Sequence, residues 1–123
     1  KKYKDKKLIL IDRFVDSTVA YQHYGLGVNL SIINNINKYL LKNFKINFTF
    51  LNIVNTKNMI KRLKLRKKLN RYDKFDSSFY RKVQNGFIKI AKKNKKNYLI
   101  VDSNKEIKIN KRIIIDKIDK LIK

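Results

Sequence analysis

The chain has 123 residues, of which 32 are Lys or Arg and 9 are Asp or Glu, so its formal net charge is +23. The length allows one domain with a hydrophobic core. The lack of Cys excludes disulfides and thiolate metal sites, and no apolar run reaches the ~18 residues of a membrane span. We therefore expect a protein of the cytoplasm with no membrane segment.

The first distinctive stretch is LILIDRFVDSTVAYQ, residues 8–22. Its apolar run, Leu8–Ile11, predicts a strand buried in a parallel sheet. Asp12 and Arg13 follow at the carboxyl end of that strand, which is where open α/β sheets bind their ligands. A carboxylate in this place can serve a metal ion, as in a Walker-B motif, and the guanidinium group matches a phosphate.

The rest of the chain alternates between helical and strand patterns. Asp16 or Ser17 can cap a short helix that continues to Gln22. Strands that alternate with helices indicate parallel β-α-β units. The later elements predicted in chain order are an amphipathic helix over 29–43, a strand over 46–53, a helix capped by Thr56, a helix from Ser77 or Ser78, a strand over 97–101 and a last helix over about 110–122.

The densest positive charge lies in KRLKLRKKLNRYDKFD, residues 61–76. Arg62 and Arg66 are four residues apart, so they share one face if this segment is helical. Arg71 follows, and arginine is conspicuous in a chain whose basic residues are mostly lysine. Its planar fork of donors favours bidentate contact with phosphate. The alternative is an ordinary basic helix whose charges are solvated.

Three motifs resemble the thymidylate kinase family. Asp12-Arg13-Phe14, followed by Ser-Thr-Val-Ala-Tyr-Gln at 17–22, resembles that family's DR[YF]-x-x-S-[TS]-x-A-Y-Q element. The order R-x-x-x-R-x-x-x-x-R over 62–71 resembles its lid, and residues 79–87 resemble the F-x-x-V-R-x-G-Y/F pattern behind the lid. The resemblance covers the whole chain but only the C-terminal part of the family.

The resemblance implies an α/β fold with the parallel sheet of a P-loop nucleotide kinase, flanking helices and a basic lid at about 61–76. Residues 1–123 would form the incomplete C-terminal portion of one domain. The implied activity is phosphoryl transfer from ATP to thymidine monophosphate, giving the diphosphate. ATP and Mg²⁺ are the implied cofactors, and the full-length enzyme is expected to be a homodimer.

The resemblance also implies roles for individual residues. Tyr21 has a structural alternative, as a residue of the hydrophobic core. The implied roles are Asp12 for indirect placement of Mg²⁺, Arg13 for the phosphate of thymidine monophosphate, Ser17 and Thr18 for the thymine edge, Tyr21 near the sugar with Gln22 beside it, Arg62, Arg66 and Arg71 for the ATP phosphates, and Asp102 for the loop beside the adenine.

The chain departs from the family pattern in three places. It contains no G-x-x-x-x-G-K-[ST] phosphate loop, so we expect no activity from it alone, and it begins with Lys, which suggests a missing start. Asn52 stands where many relatives have Asp, and Gln84 where many have Arg. The strand of the missing loop would lie between strands 8–11 and 46–53. We therefore expect either a slot there or two closed-up strands with a displaced Asp12–Arg13 site.

Two other functional classes stay open. One is another nucleoside or nucleotide kinase of the same fold, although deoxynucleoside kinases usually show Glu-Arg-Ser where Asp12-Arg13-Phe14 stands. The other is a basic nucleic-acid-binding protein, which the net charge of +23 favours. The lysines are spread over the whole chain, and the aromatic residues follow apolar periodicity instead of accompanying them. We therefore expect only non-specific binding of nucleic acid.

Overall fold

A computed structural model describes residues 8–66 and 76–122 of the chain. The strands β1 and β2 pair in parallel, with Thr49 opposite Tyr98, so both strands end at the same edge of a two-stranded sheet. The described part is thus a helix-rich α/β structure. Its elements are α1 (Val15–Thr18), a π-helical segment (Val19–Gly25), α2 (Leu30–Leu40), β1 (Thr49–Ile53), α3 (Thr56–Lys64), α4 (Ser77–Lys93), a 3₁₀ turn (Lys95–Asn97), β2 (Tyr98–Asp102) and α5 (Ile107–Ile122).

The predicted strand at Leu8–Ile11 is wrong. These four residues form no regular structure, and Leu10 is 74% exposed. A parallel strand needs neighbours that cover it, and the sheet of the described residues contains only β1 and β2. The expected slot beside β1, or a closed pair of strands there, assumed that Leu8–Ile11 is a strand of the same sheet. Because Leu8–Ile11 does not join that sheet, this assumption is wrong.

Asparagine side chains cap α2 and α3, and an aspartate side chain caps α4. Asn55, and not the predicted Thr56, accepts a hydrogen bond from the Asn58 backbone N–H at 2.8 Å and so begins α3. The predicted start of α4 at Ser77 is confirmed, and Asp76 caps this helix by accepting a hydrogen bond from the Phe79 N–H at 2.9 Å. Asn and Asp are at least as good at this position as Ser and better than Thr, because the longer side chain reaches the second or third N–H easily.

The first and last helices also differ from the prediction at their starts. Residue Val15 begins α1, with Phe14 before it and no side-chain cap, so neither Asp16 nor Ser17 caps this helix. The last helix, α5, begins at Ile107, three residues earlier than expected. No helix within 8–66 and 76–122 is long and apolar enough to cross a membrane.

The hydrophobic core lies where α4 crosses the π-helical segment. Its buried residues are Ala20 from the π-helical segment and Phe79 and Val83 from α4. The ring of Tyr21 packs edge-on against Phe79, with centroids 6.1 Å apart, and against Phe87 at 6.3 Å. The spacing of four residues between positions 79, 83 and 87 places these α4 side chains on one face of the helix.

Two glycines allow this crossing to be close. A Cβ atom on Gly25 would lie 2.6 Å from Cε2 of Phe79, and one on Gly86 would lie 2.5 Å from Cδ2 of Tyr24. Gly86 costs about 1 kcal/mol relative to Ala in a helix interior, yet any side chain here would collide with the facing ring. Each glycine therefore accommodates an aromatic side chain of the opposite segment.

We predict that Gly86→Ala destabilises the protein by about 1–3 kcal/mol, because overpacking outweighs the gain in helix propensity. The free energy of unfolding in urea measures this effect. Asn85→Ala is the matched control, since Asn85 is the neighbouring, exposed residue of α4. Equal stability of Gly86→Ala and the control would contradict the close crossing.

Candidate functional site

Arg13 and Tyr21 meet in the segment that carries the Asp-Arg motif. Nη1 of Arg13 donates a hydrogen bond to the Tyr21 hydroxyl at 3.2 Å, and its Cζ lies 5.4 Å from the centroid of the Tyr21 ring. The second distance is typical of a cation–π contact. Arg13 is exposed and its guanidinium has five N–H donors, so donors remain for an anionic ligand.

The backbone around this pair is unusual. Arg13 has φ = 59°, the left-handed region that non-glycine residues adopt at a cost of about 1–3 kcal/mol. Tyr21 lies in the π-helical segment, and π-helical turns are rare and frequent at functional sites. Neither feature has a signal in the sequence, because Arg does not favour positive φ and the residues of the segment fit an ordinary helix equally well.

A third residue, Tyr98, contacts the same segment from the sheet. Its hydroxyl donates a hydrogen bond to the Asp16 carboxylate and so joins the start of β2 to α1. Burial raises the pKa of Tyr98 well above its usual value, and the hydrogen bond to Asp16 adds to that rise. Sequence reasoning missed Tyr98 because it lies outside the motifs and is separated from Asp16 by 82 positions.

The other predicted substrate residues lie on the same segment. Asp12 is exposed in the bend before α1, and Thr18 is exposed at the end of that helix. Ser17 and Gln22 are half-buried. In residues 8–66 and 76–122, no three His, Cys, Asp or Glu side chains gather into a metal site. Mg²⁺ is usually held by one or two carboxylates with phosphates and waters, so Asp12 fits an indirect role toward that ion.

A second polar cluster lies at the carboxyl ends of β1 and β2. Nη2 of Arg62, in α3, donates a hydrogen bond to the Ser103 carbonyl oxygen at 2.7 Å. The side-chain oxygen of Asn104 accepts from the Asn55 N–H at 3.2 Å and from the Asn58 amide at 3.0 Å. These contacts join the loop after β2 to α3.

Asp102 stabilises the same loop from the end of β2. Its Oδ1 accepts from the backbone N–H of Asn104 at 2.9 Å and from the side-chain amide of Asn104 at 2.6 Å. Because these bonds favour the carboxylate, they lower the pKa of Asp102. The structure therefore brings the predicted residues Arg62 and Asp102 to one loop.

Of the other two predicted arginines, the structure describes only Arg66. Because α3 ends at Lys64, Arg66 lies beyond the helix, so the condition for a helical face shared with Arg62 is not met. Arg71 and the larger part of the expected lid lie outside the described residues.

The two substituted positions of the family pattern have different surroundings. The side-chain oxygen of Gln84 accepts a hydrogen bond from the Val54 N–H at 3.0 Å, directly after β1, and so joins α4 to the sheet. An arginine at this position could not accept that bond. Asn52 is exposed within β1.

The parallel pair β1 and β2, with polar side chains collected where both strands end, defines an α/β protein with a candidate ligand site at that edge. A sequence model of the family described as thymidylate kinase matches residues 1–114. The chain therefore belongs to the thymidylate kinase family.

Individual curated thymidylate kinases are similar over most of the chain. The one from Sulfurihydrogenibium sp. (strain YO3AOP1) is 35% identical over 109 residues, which are 89% of this chain and 52% of that protein. The one from Acholeplasma laidlawii (strain PG-8A) is 34% identical over 115 residues, 91% of this chain and 56% of that protein. The one from Wolbachia pipientis wMel is 39% identical over 85 residues, 69% and 41% respectively. The chain spans about half the length of the curated relatives it matches.

We predict that the stability of the protein falls in alkaline solution partly through Tyr98. Its raised pKa means that the folded state favours the protonated hydroxyl. This contribution is complete below the usual tyrosine pKa of 10.0 and is lost as the pH rises above it. The free energy of unfolding should thus fall less between neutral pH and about pH 11 in Tyr98→Phe than in the wild type.

Tyr39→Phe is the control for this comparison, since Tyr39 is 79% exposed. It should lose stability as the wild type does. The same alkaline loss in wild type, Tyr39→Phe and Tyr98→Phe would contradict the buried contact of Tyr98 with Asp16.

Proposed function

We propose that this protein serves phosphoryl transfer from ATP to thymidine monophosphate, and that residues 1–123 form the C-terminal part of one thymidylate kinase domain. The observation that carries the proposal is the contact between Arg13 and Tyr21, two residues of the Asp-Arg motif that the fold brings together. Membership of the family supports the substrate pair.

In this proposal Arg13 binds the phosphate group of thymidine monophosphate. Its contact with Tyr21 uses one N–H and one face of the guanidinium plane, and the opposite edge stays available. An arginine held in one orientation loses less side-chain entropy when it binds a phosphate with two parallel hydrogen bonds. Tyr21 therefore orients Arg13 as well as lying near the sugar.

The remaining residues of the segment would recognise the nucleoside and serve the metal. We assign Ser17 and Thr18 to the thymine edge and Gln22 to the position beside Tyr21. Asp12 would hold Mg²⁺ indirectly, through water, since it offers a single exposed carboxylate. The ion that Asp12 would help to hold would supply positive charge against the negative charge that develops during transfer.

The cluster at the ends of β1 and β2 would serve ATP. Arg62 holds the Ser103 carbonyl, and Asp102 holds Asn104, so both fix the shape of the loop that we place beside the adenine. Arg66 and Arg71 would bring positive charge to the phosphates as part of a lid at about 61–76. Phosphoryl transfer relies on such positioned charge more than on covalent chemistry.

For the complete enzyme we propose the sheet of a P-loop nucleotide kinase, a homodimer and a place in the cytoplasm. The small parallel sheet of β1 and β2 supports the first of these. The other two follow from the resemblance described above.

We predict that Arg13→Ala weakens the binding of thymidine monophosphate at least tenfold, since a hydrogen bond to a charged group contributes about 1.5–3 kcal/mol. Isothermal titration of the full chain measures the Kd. Arg112→Ala is the matched control, because it removes the same charge from a solvent-exposed side chain on α5. Equal Kd values for both variants would remove Arg13 from the phosphate site.

We also predict that the net charge of +23 makes the protein bind duplex DNA weakly and without sequence preference. The affinity should fall steeply with added salt, because such binding is driven by release of counterions from the phosphates. Fluorescence anisotropy with two unrelated duplexes over a series of salt concentrations measures both properties. A complex that prefers one sequence and survives physiological salt would contradict the kinase proposal.

A further inference from the structure

The contact between Tyr98 and Asp16 lies beside the strained turn at Arg13. Asp16 is in the first turn of α1, three residues after Arg13, and Tyr98 is the first residue of β2. The helix α1 continues without a break into the π-helical segment, so its far end is held by the hydrophobic core, but no side chain caps its first turn. Contacts with other parts of the fold must therefore hold the first turn, which follows Arg13 directly.

The residues just before Arg13 contribute little to holding its backbone at positive φ. Leu8–Ile11 forms no regular structure and is largely exposed. After the turn, Val15 is buried and Asp16 accepts the hydrogen bond of Tyr98. A backbone at φ = 59° persists only where the surrounding structure holds it, so the support for Arg13 comes from α1.

We propose that Asp16 is a positioning residue, which through Tyr98 fixes α1 on the sheet and thereby sets the direction in which Arg13 presents its guanidinium to a phosphate. This inference rests on the proposed function. It adds Asp16 and Tyr98 to the candidate site as residues that do not touch the nucleotide. Their effect should be on binding of the phosphate group and not on binding of the base.

The chemistry of the pair suits this role. A hydrogen bond to an ionised carboxylate is roughly twice as strong as one between neutral groups. Tyr98 is half-buried, which shields the bond from competing water. A tyrosine hydroxyl is protonated throughout the neutral pH range, so the donor is present there, and the raised pKa of Tyr98 extends this to more alkaline solution.

The Phe14 ring gives the same region an apolar contact, 5.7 Å from the ring of Phe44. Such a contact limits the distance between two segments but has no preferred direction. The hydrogen bond at Asp16 is directional, and it acts on the uncapped first turn of α1, which follows Arg13. This difference predicts that loss of the bond misdirects Arg13 without unfolding the segment.

The test compares thymidine monophosphate with thymidine, which lacks the phosphate. Their Kd values are measured by isothermal titration on the full chain and on Tyr98→Phe, Asp16→Ala, Asp16→Asn and the exposed control Tyr39→Phe. We expect Tyr98→Phe and Asp16→Ala to raise the Kd for thymidine monophosphate about tenfold, which corresponds to one hydrogen bond to a charged group. The Kd for thymidine should not change in these variants.

Asp16→Asn retains an acceptor oxygen and should recover part of the lost affinity, while Tyr39→Phe should match the wild type. An equal loss for both ligands would show a merely structural role and overturn the inference. Unchanged affinity of Tyr98→Phe and Asp16→Ala for the monophosphate would overturn it while the proposed function stands. A wild-type chain that binds neither ligand would refute the proposed function, and the inference with it.

Discussion

The close crossing of α4 over the π-helical segment is the contact on which the rest of the structure depends. It is possible because Gly25 faces Phe79 and Gly86 faces Tyr24 without a Cβ atom between the backbones. The same crossing brings Tyr21 against Phe79 and so fixes the ring on which the guanidinium of Arg13 rests. The geometry of the candidate phosphate site thus begins in helix packing.

The same helix also supports the second polar cluster. Gln84, the residue after the buried Val83, binds the Val54 N–H where the chain leaves β1. The adjacent end of β2 carries Asp102 and the loop that Arg62 holds. One face of α4 therefore contacts the segment of Arg13, while Gln84 joins the helix to the sheet edge with the second cluster. A shift of this helix would change both places at once.

Residue spacing and residue type predicted the helices and strands that depend mainly on local sequence. The helices α2, α3 and α4 follow apolar spacing of three and four residues, and β1 and β2 follow β-branched and aromatic runs. The strand at Leu8–Ile11 failed because a strand depends on neighbours that are often distant in sequence. Arg13 and Tyr21 were found through their motif, but their mutual contact and the contact of Asp16 with Tyr98 depend on tertiary packing.

The charge of the chain and the charge of its candidate site are different matters. Lysines spread over the surface raise the net charge, but at physiological salt a charge acts over only about 8 Å. The contacts seen for Arg13 and Arg62 are with a phenol and with a carbonyl oxygen, both neutral groups. Such partners orient a guanidinium without cancelling its charge, as a carboxylate would. Both arginines are thus oriented by the fold, and neither of these contacts neutralises their positive charge.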